Sequence, residues 1–201
     1  GEWVARGGVE GGNGGLIEAS SKNNLQAFGS ANASALVGKA GLWLLDPQNV
    51  SIINGGVGNL TDGGFDPSTP DATIAPATIV AALDGGNSVT STTGSTGTQA
   101  GNITVTDAVV TAATANTSLI LSAANNIIVN NRIDLSSSSG AANVLLLADA
   151  DASGSGTVTL NSAVTSGTTG TVTLQGAGRI QVGTTLTARN EIGRASCRER
   201  V

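Results

Sequence analysis

NITVTDAVVTAATANTSLILSAANNIIVNNRID, residues 102–134, contains one short pattern twice: apolar, any residue, apolar, three residues, apolar. The first copy is Ile103, Val105 and Val109, and the second is Ile127, Val129 and Ile133. Alternation at the first two positions is the period of a strand with one buried face. The three-residue step suits a tight bend that turns the next apolar side chain inward again. The pattern recurs at Val158, Leu160 and Val164 and at Ile180, Val182 and Leu186, so successive copies start 24, 31 and 22 residues apart.

A second pattern interleaves with the first. Leu119 and Leu121, Leu145 and Leu147, and Val172 and Leu174 each precede small residues such as Ala123, Ala148 or Gly176. One such pair, a corner and one copy of the first pattern then make a coil. DADASGSG, residues 149–156, accounts for the long coil by adding five residues, since positions 145 and 158 are 13 apart where 119 and 127, or 172 and 180, are 8 apart. Coils of this length with several short strands predict an all-β fold, a parallel β-solenoid in which each coil stacks on the last. Asn125, Asn126, Asn130, Asn131 and Asn143 suit either left-handed corner conformations or side-chain ladders between coils. An antiparallel sandwich is the weaker reading, because the Asn-Gly and Asp-Gly hairpin turns it favours are scarce in this half.

Working outward, residues 1–53 carry related punctuation. Leu16-Ile17-Glu18, Leu25-Gln26-Ala27-Phe28 and Leu42-Trp43-Leu44-Leu45 are separated by Gly, Ser and Asn, and predict N-terminal coils. Residues 54–101 differ and predict an insertion that leaves the coils and returns. Residues 54–71, with Gly, Asp and Pro, read as a loop; PATIVAALD, residues 76–84, reads as a short helix with Pro76 in its first turn and Gly85 just past its end. Residues 88–99 are rich in Ser, Thr and Gly and re-enter the coils near Asn102. Residues 102–190 form the regular repeats.

Composition narrows the function. The chain has no His, Tyr or Met and one cysteine, Cys197. Catalysis at neutral pH leans on His, Cys and Tyr as acids, bases and nucleophiles, so the expectation is a non-enzyme with no catalytic, cofactor-binding or metal-binding residue and no cofactor. A chain without Met is expected to begin inside a longer protein. At the other end, EIGRASCRERV, residues 191–201, back-translates through eleven codons into what resembles a sequencing adapter. Without that tail the formal charge moves from −5 to −6 and no cysteine remains. An acidic chain lacking basic clusters predicts no nucleic-acid partner, a cysteine-free one suits export through an oxidising compartment, and no apolar run is long enough for a membrane-spanning helix.

RGGVEGGNGGLIEASSKNNLQAFGSANASALVGKAGLWLLDP, residues 6–47, resembles the repeat of filamentous-haemagglutinin-type exoproteins. The features that carry the likeness are Gly11-Gly12-Asn13-Gly14-Gly15 before a strand ending in Glu18, then Ser20 and Lys22. Gly38-Lys39-Ala40-Gly41 follows, leading into Leu44-Leu45-Asp46-Pro47 and the strand at Val50 and Ile52. The helix-then-strand insert at residues 77–92, the NITV strand at Asn102 and residues 145–160 are similar to that family too. The resemblance implies a right-handed parallel β-helix, a structural rod segment of a bacterial adhesin located outside the cell or on the outer cell surface. It implies export by two-partner secretion, through an outer-membrane transporter that would recognise an N-terminal domain this chain lacks, and an unidentified host-cell or glycan receptor. The competing expectations are the stalk of a secreted toxin, cytolysin or contact-dependent inhibition protein and, more remotely, a carbohydrate-active β-helix enzyme.

Five local features bear on those alternatives. Asp149, Asp151, Ser153 and Gly154 match the opening of a calcium loop, but Leu160 stands where such a loop needs a bidentate Glu, so a solvated corner is expected. GGNGG lacks the Lys-Ser/Thr pair and helix of a phosphate loop and predicts a tight corner. Arg132 and Asp134 flank the inward Ile133 and should point outward, without an acid at the aligned positions of other coils. Thr104 should stack on Ile128, Thr159 and Gln181, which breaks the threonine ladder an ice-binding face needs, and Trp3 and Trp43 are expected in the core or at a coil edge rather than as glycan platforms.

Overall fold

The structure is a computed structural model describing residues 2–21, 25, 30–55, 60–61, 64–65, 72–95, 99–184 and 186–187. The tail at residues 191–201, Lys22 and Gln26-Ala27-Phe28 lie outside the described residues. The strands in chain order are β1 (Glu2–Val4), β2 (Leu16–Ser20), β3 (Ser30–Asn32), β4 (Leu42–Asp46), β5 (Val50–Ile52), β6 (Leu60–Thr61), β7 (Gly64–Phe65) and β8 (Ala72–Ile74). After helix α1 (Pro76–Asp84) come β9 (Ser88–Thr92), β10 (Ile103–Val105), β11 (Val109–Val110), β12 (Thr117–Ser122), β13 (Ile127–Val129), β14 (Ile133–Asp134) and β15 (Ala142–Leu147). The series ends with β16 (Thr157–Leu160), β17 (Val164–Thr165), β18 (Val172–Gln175), β19 (Arg179–Val182) and β20 (Leu186–Thr187).

These strands make an all-β fold of parallel sheets. Sheet I runs β2-β4-β9-β12-β15-β18, sheet II runs β8-β5-β10-β13-β16-β19, and sheet III runs β11-β14-β17-β20. From β12 onward each pass of the chain contributes one strand to each sheet in turn. The register follows the first pattern read from sequence: Ile103 pairs with Ile127, Ile127 with Val158 and Val158 with Ile180. Val109, Ile133, Val164 and Leu186 align likewise along sheet III. In β10, β13 and β16 the pattern alternates buried with half-buried positions, whereas in β19 Ile180 is half-buried and Val182 is 45% exposed. Inward side chains therefore stack like on like, and Ile103, Ile127, Val158, Val105, Val129 and Leu160 are all fully buried. Each such side chain contributes about 1.5–3 kcal/mol relative to exposure.

The second pattern is corrected by one residue in its middle copy. Leu119 pairs with Val144, not Leu145, and Leu121 pairs with Leu146, not Leu147. Val172 and Leu174 continue from Val144 and Leu146. In NVLLLA the alternation is ambiguous because three leucines follow one another, and a one-residue shift exchanges the faces of a strand. What decides it is the run from Ala142, which is buried with Val144 and Leu146. The insertion is accordingly six residues, 150–155, since Val144 and Val158 are 14 apart where Leu119 and Ile127 are 8 apart.

Of the five asparagines named from sequence, Asn126, Asn130 and Asn143 form ladders between coils, whereas Asn131 Oδ1 accepts from its own neighbour Arg132 N at 2.9 Å. Asn49 Oδ1 accepts from Asn102 N at 2.7 Å, Asn102 Oδ1 from Asn126 N at 3.1 Å, and Asn126 Oδ1 from Thr157 N at 2.9 Å. Asn143 Oδ1 accepts from Thr171 N at 2.9 Å, and Asn161 Nδ2 donates to Asn130 Oδ1 at 2.9 Å. Among the described residues the only non-glycine positive φ values are at Asp149 and Ala152, so none of the five asparagines adopts the left-handed alternative.

Between β5 and β10 the chain reverses its order of stacking. After the antiparallel β6–β7 pair, β8 lies on the side of β5 opposite β10. Helix α1 follows, and β9 then inserts between β4 and β12 in sheet I. Ser88–Thr92 is thus an ordinary strand of sheet I, expected from the family resemblance but not from its Ser/Thr-rich composition. Helix α1 occupies the bounds read from sequence, with Pro76 in its first turn, although the left-handed residue that ends it is Gly86 (φ 79°) rather than Gly85 (φ −74°). It packs on β11, the end strand of sheet III. Asp84 accepts from the Thr111 hydroxyl and, at 3.1 Å, from Ala112 N. A carboxylate at a helix C-terminus opposes the helix dipole; here it caps donors beside a strand edge, where unmet backbone groups otherwise invite further pairing.

Candidate functional site

The acidic corner at residues 149–156 was the nearest thing to an ion site in the sequence, and its geometry is that of a self-closed loop. Asp149 stands at φ 62° and Gly154 at φ 92°. Asp149 Oδ1 accepts from Ser153 Oγ at 2.8 Å, Gly154 N at 2.8 Å and Ser155 N at 3.4 Å, and Asp151 Oδ1 accepts from Ser153 N at 3.2 Å. Desolvation pushes the Asp149 carboxyl up, but the donors from Ser153, Gly154, Ser155 and Gly156 together hold it below the usual carboxylate value. Asp149 Oδ1 is thus engaged by the loop's own donors. Leu160, at the position a calcium loop reserves for Glu, is fully buried. No cluster of three or more Asp, Glu, His or Cys side chains occurs among the described residues.

Arg132 and Asp134 flank the buried Ile133 on sheet III, as their spacing requires. Asp134 Oδ1 accepts from Ser136 Oγ at 2.6 Å and Ser136 N at 3.0 Å. Its pKa lies below the ordinary value because the Ser136 hydroxyl bond leads; desolvation opposes it, and the Ser136 amide and the Arg132 charge assist. The residues beside Asp134 on neighbouring strands are Val110 and Thr165. Two-carboxylate glycoside hydrolysis needs both carboxyls converging on the substrate, and Asp134 and Asp149 are instead each engaged with their own turns.

On sheet II, Thr104 is flanked by Ser51 and Ile128, and Thr159 by Ile128 and Gln181. The threonine column is therefore interrupted by an isoleucine at its middle. The two tryptophans part company: Trp43 is 1% exposed in the inner face of sheet I, whereas Trp3 is 41% exposed on β1, which pairs only with β3. GGNGG is a tight corner, with Gly12 at φ 110°, and a side chain at Gly14 would collide with the Ala33 carbonyl and Gly41 backbone.

Two features escaped sequence reading. Asn87, 1% exposed, donates from Nδ2 to Ala82 O at 2.9 Å and Ala31 O at 3.2 Å and accepts from Ala33 N, tying α1 to the N-terminal segment. A lone Asn after Gly-Gly carries no pattern that foretells this. The second is an open cleft of about 300 Å³ lined by Gly38, Lys39, Gly86, Ser88, Ala115 and Asn116, which assembles from three separate stretches of chain. Its walls are small side chains, Lys39 supplies its one charge, and Asn116 Oδ1 is engaged with Ala141 N at 2.8 Å.

No family model matches this chain, and no curated protein matches it. No helix among the described residues is long and apolar enough to cross a membrane.

Proposed function

We propose that the chain is a segment of a right-handed parallel β-helix, the rod of a secreted or surface-attached bacterial adhesin of the filamentous-haemagglutinin type. The observation that carries this reading is the strand register: three parallel sheets receive one strand each per pass, with aligned apolar residues stacked inward. Such a stack extends by about 4.8 Å per coil, so its natural contribution is reach. Adhesion belongs to the larger exoprotein, with a host-cell or glycan receptor, and export proceeds through an outer-membrane two-partner-secretion transporter.

The rod reading favours a structural role over catalysis because the polar groups on its corners and outer strands are consumed locally. Asp149 and Asp134 serve their own turns, and Asn102, Asn126 and Asn143 bond to the next coil. The test joins this chain to a two-partner-secretion domain and expresses it with the cognate transporter. Surface delivery of a folded, protease-resistant chain, together with binding of chain-coated beads to cells when the full exoprotein is used, is the expected result. Retention in the periplasm, or turnover of a polysaccharide that disappears with Asp149→Ala, would overturn it.

A further inference from the structure

Asn followed by Gly occurs twice in the chain, at Asn13-Gly14 and Asn54-Gly55. The pair is a reactive setting for an Asn side chain, because a nitrogen whose residue bears no Cβ can approach the neighbouring side-chain carbonyl carbon. Two freedoms decide whether it does. The Gly nitrogen must be released from hydrogen bonding, and the Asn amide must be free to swing over it.

The two sites differ in both. At Asn13-Gly14 the nucleophile and the electrophile are tied to one residue: Gly14 N donates to Lys39 O at 3.0 Å, and Asn13 Oδ1 accepts from Lys39 N at 2.9 Å. Gly14 is also packed closely against the Ala33 carbonyl and the Gly41 backbone. At Asn54-Gly55 both residues are exposed in a turn. Among the described residues neither the Asn54 side-chain amide nor Gly55 N has a hydrogen-bond partner, and nothing lies within 4 Å of the place a Gly55 Cβ would take. The turn is anchored through the Asn54 backbone N, which donates to Asp107 Oδ2 at 2.7 Å.

We propose that Asn54 is a site of spontaneous deamidation, converted to isoaspartate and aspartate in the folded chain while Asn13 is preserved. Gly55 N gives up its proton to solvent and bonds to Asn54 Cγ; the Cγ–Nδ2 bond breaks and ammonia leaves, closing a five-membered succinimide. Water then opens the ring. Cleavage of the bond between the Asn54 carbonyl carbon and Gly55 N routes the main chain through Cγ as isoaspartate, whereas cleavage of the Cγ–N bond leaves aspartate. One water enters and one ammonia departs, with no oxidant or reductant.

The position gives the step a consequence. Asp107 stands at the corner between β10 and β11, and its own N–H donates to Ile52 O at 3.1 Å, so this corner holds the end of β5 where the chain departs for the β6–β7 pair. Either product adds a carboxylate to the residue whose amide Asp107 binds, and like charges disfavour one another. Isoaspartate also lengthens the main chain by a methylene. Deamidation therefore loosens the departure of the insertion with age, in one direction and without an enzyme. The inference rests on these two turns and not on the adhesin reading.

Peptide mapping by mass spectrometry tests it, with the full chain held at mildly alkaline pH in buffer or in unfolding urea and isoaspartate read by methyltransferase labelling. In buffer, Asn54 should convert at least tenfold faster than Asn13; in urea, Asn13 should accelerate and the two rates converge. Equal rates in buffer overturn the proposal. So does a ratio that urea leaves unchanged, since sequence context rather than the fold would then set it. Asn54→Gln should abolish conversion at this turn, because the longer side chain closes a six-membered ring far more slowly. Asn54→Asp tests the consequence: the residue-54 amide should exchange with solvent several-fold faster than in the unmodified chain, with the amides of β13 and β16 unchanged. Unchanged protection at residue 54 would overturn the loosening.

Discussion

The coils after residue 102 and the stretch from Leu42 to Asn102 are built from the same parallel pairing, yet they reach it differently. In the coils each strand lies beside the strand one pass earlier, so Ile127 sits between Ile103 and Val158. In the earlier stretch the chain lays β8 behind β5, sends α1 along the edge of sheet III, and only then advances to β9 and β10. The first arrangement is held by repetition. The second buries Ile74, Ile79 and Leu83 in the same core and adds single polar ties at Asn87 and Asp84. Regular stacking distributes stability over many similar rungs, whereas the reversal adds such ties at its turning points.

The largest effect should come from cutting a central rung and an end rung alike. Ile127 and Ile74 are both buried to 1% or less, but Ile127 has strand neighbours on both sides and Ile74, on β8, has Ile52 alone among the described residues. Ile127→Ala is expected to cost about 3–5 kcal/mol and Ile74→Ala about 2–3 kcal/mol, because an end strand relaxes into the cavity more readily. Urea unfolding by circular dichroism measures both. Equal losses would mean that the β8 reversal is as tightly determined as the repeats.

Next comes the junction. Asn87→Ala strands the Ala33 amide and the Ala31 carbonyl in a buried place, while the Ala82 carbonyl keeps the Asn87 backbone N–H at 2.9 Å, at about 2–3 kcal/mol. Hydrogen exchange should then show the amides of residues 31–33 and α1 opening while those of β13 and β16 stay protected. Uniform loss of protection would instead make the two regions one cooperative unit.

The sequence made the coils legible because side-chain period and coil period coincide. Ile103, Ile127, Val158 and Ile180 sit at aligned positions and nothing else fits them. Helix α1 was legible for a different reason: Pro76 and the Gly85-Gly86 pair mark its ends chemically. NVLLLA was misaligned because Val144, Leu145, Leu146 and Leu147 satisfy either face, and the run from Ala142, with its pairing to Leu119 and Leu121, decides between them. The placement of β8 was illegible in principle, since ATI carries no mark of which side of β5 it will join. The candidate ion corner was legible as a loop, but the engagement of Asp149 by Ser153 and Gly154 is a matter of backbone dihedrals that composition does not encode.

A smaller effect separates the acceptor role of the ladder asparagines from their bulk. Asn126 Oδ1 accepts from Thr157 N, and Asn126 N donates to Asn102 Oδ1. Asn126→Ala should cost about 1 kcal/mol through the lost acceptor. Asn126→Asp keeps an acceptor in place and should recover most of that stability at neutral pH. If both variants lose equally, the amide contributes through packing and the ladder is incidental to holding one coil on the next.

The smallest effect is confined to acid. The Asp149 and Asp134 carboxyls are both held below their ordinary value in the folded chain. A group whose folded pKa is depressed adds stability that is complete above its unfolded pKa and is lost as pH falls through the folded one. Stability should thus be flat near neutrality and decline below about pH 4, the ordinary Asp range. Asp149→Asn removes the charge but leaves an amide oxygen to receive Ser153, Gly154 and Ser155. It should flatten part of the acid limb in a Tm-against-pH series while changing Tm little at pH 7, because the loop is solvated and stands outside the stacked strands. Asp134→Asn should flatten the remainder, with the Ser136 turn as its source. A variant pair that leaves the acid limb as steep as before would show that neither the Asp149 loop nor the Ser136 turn is its source.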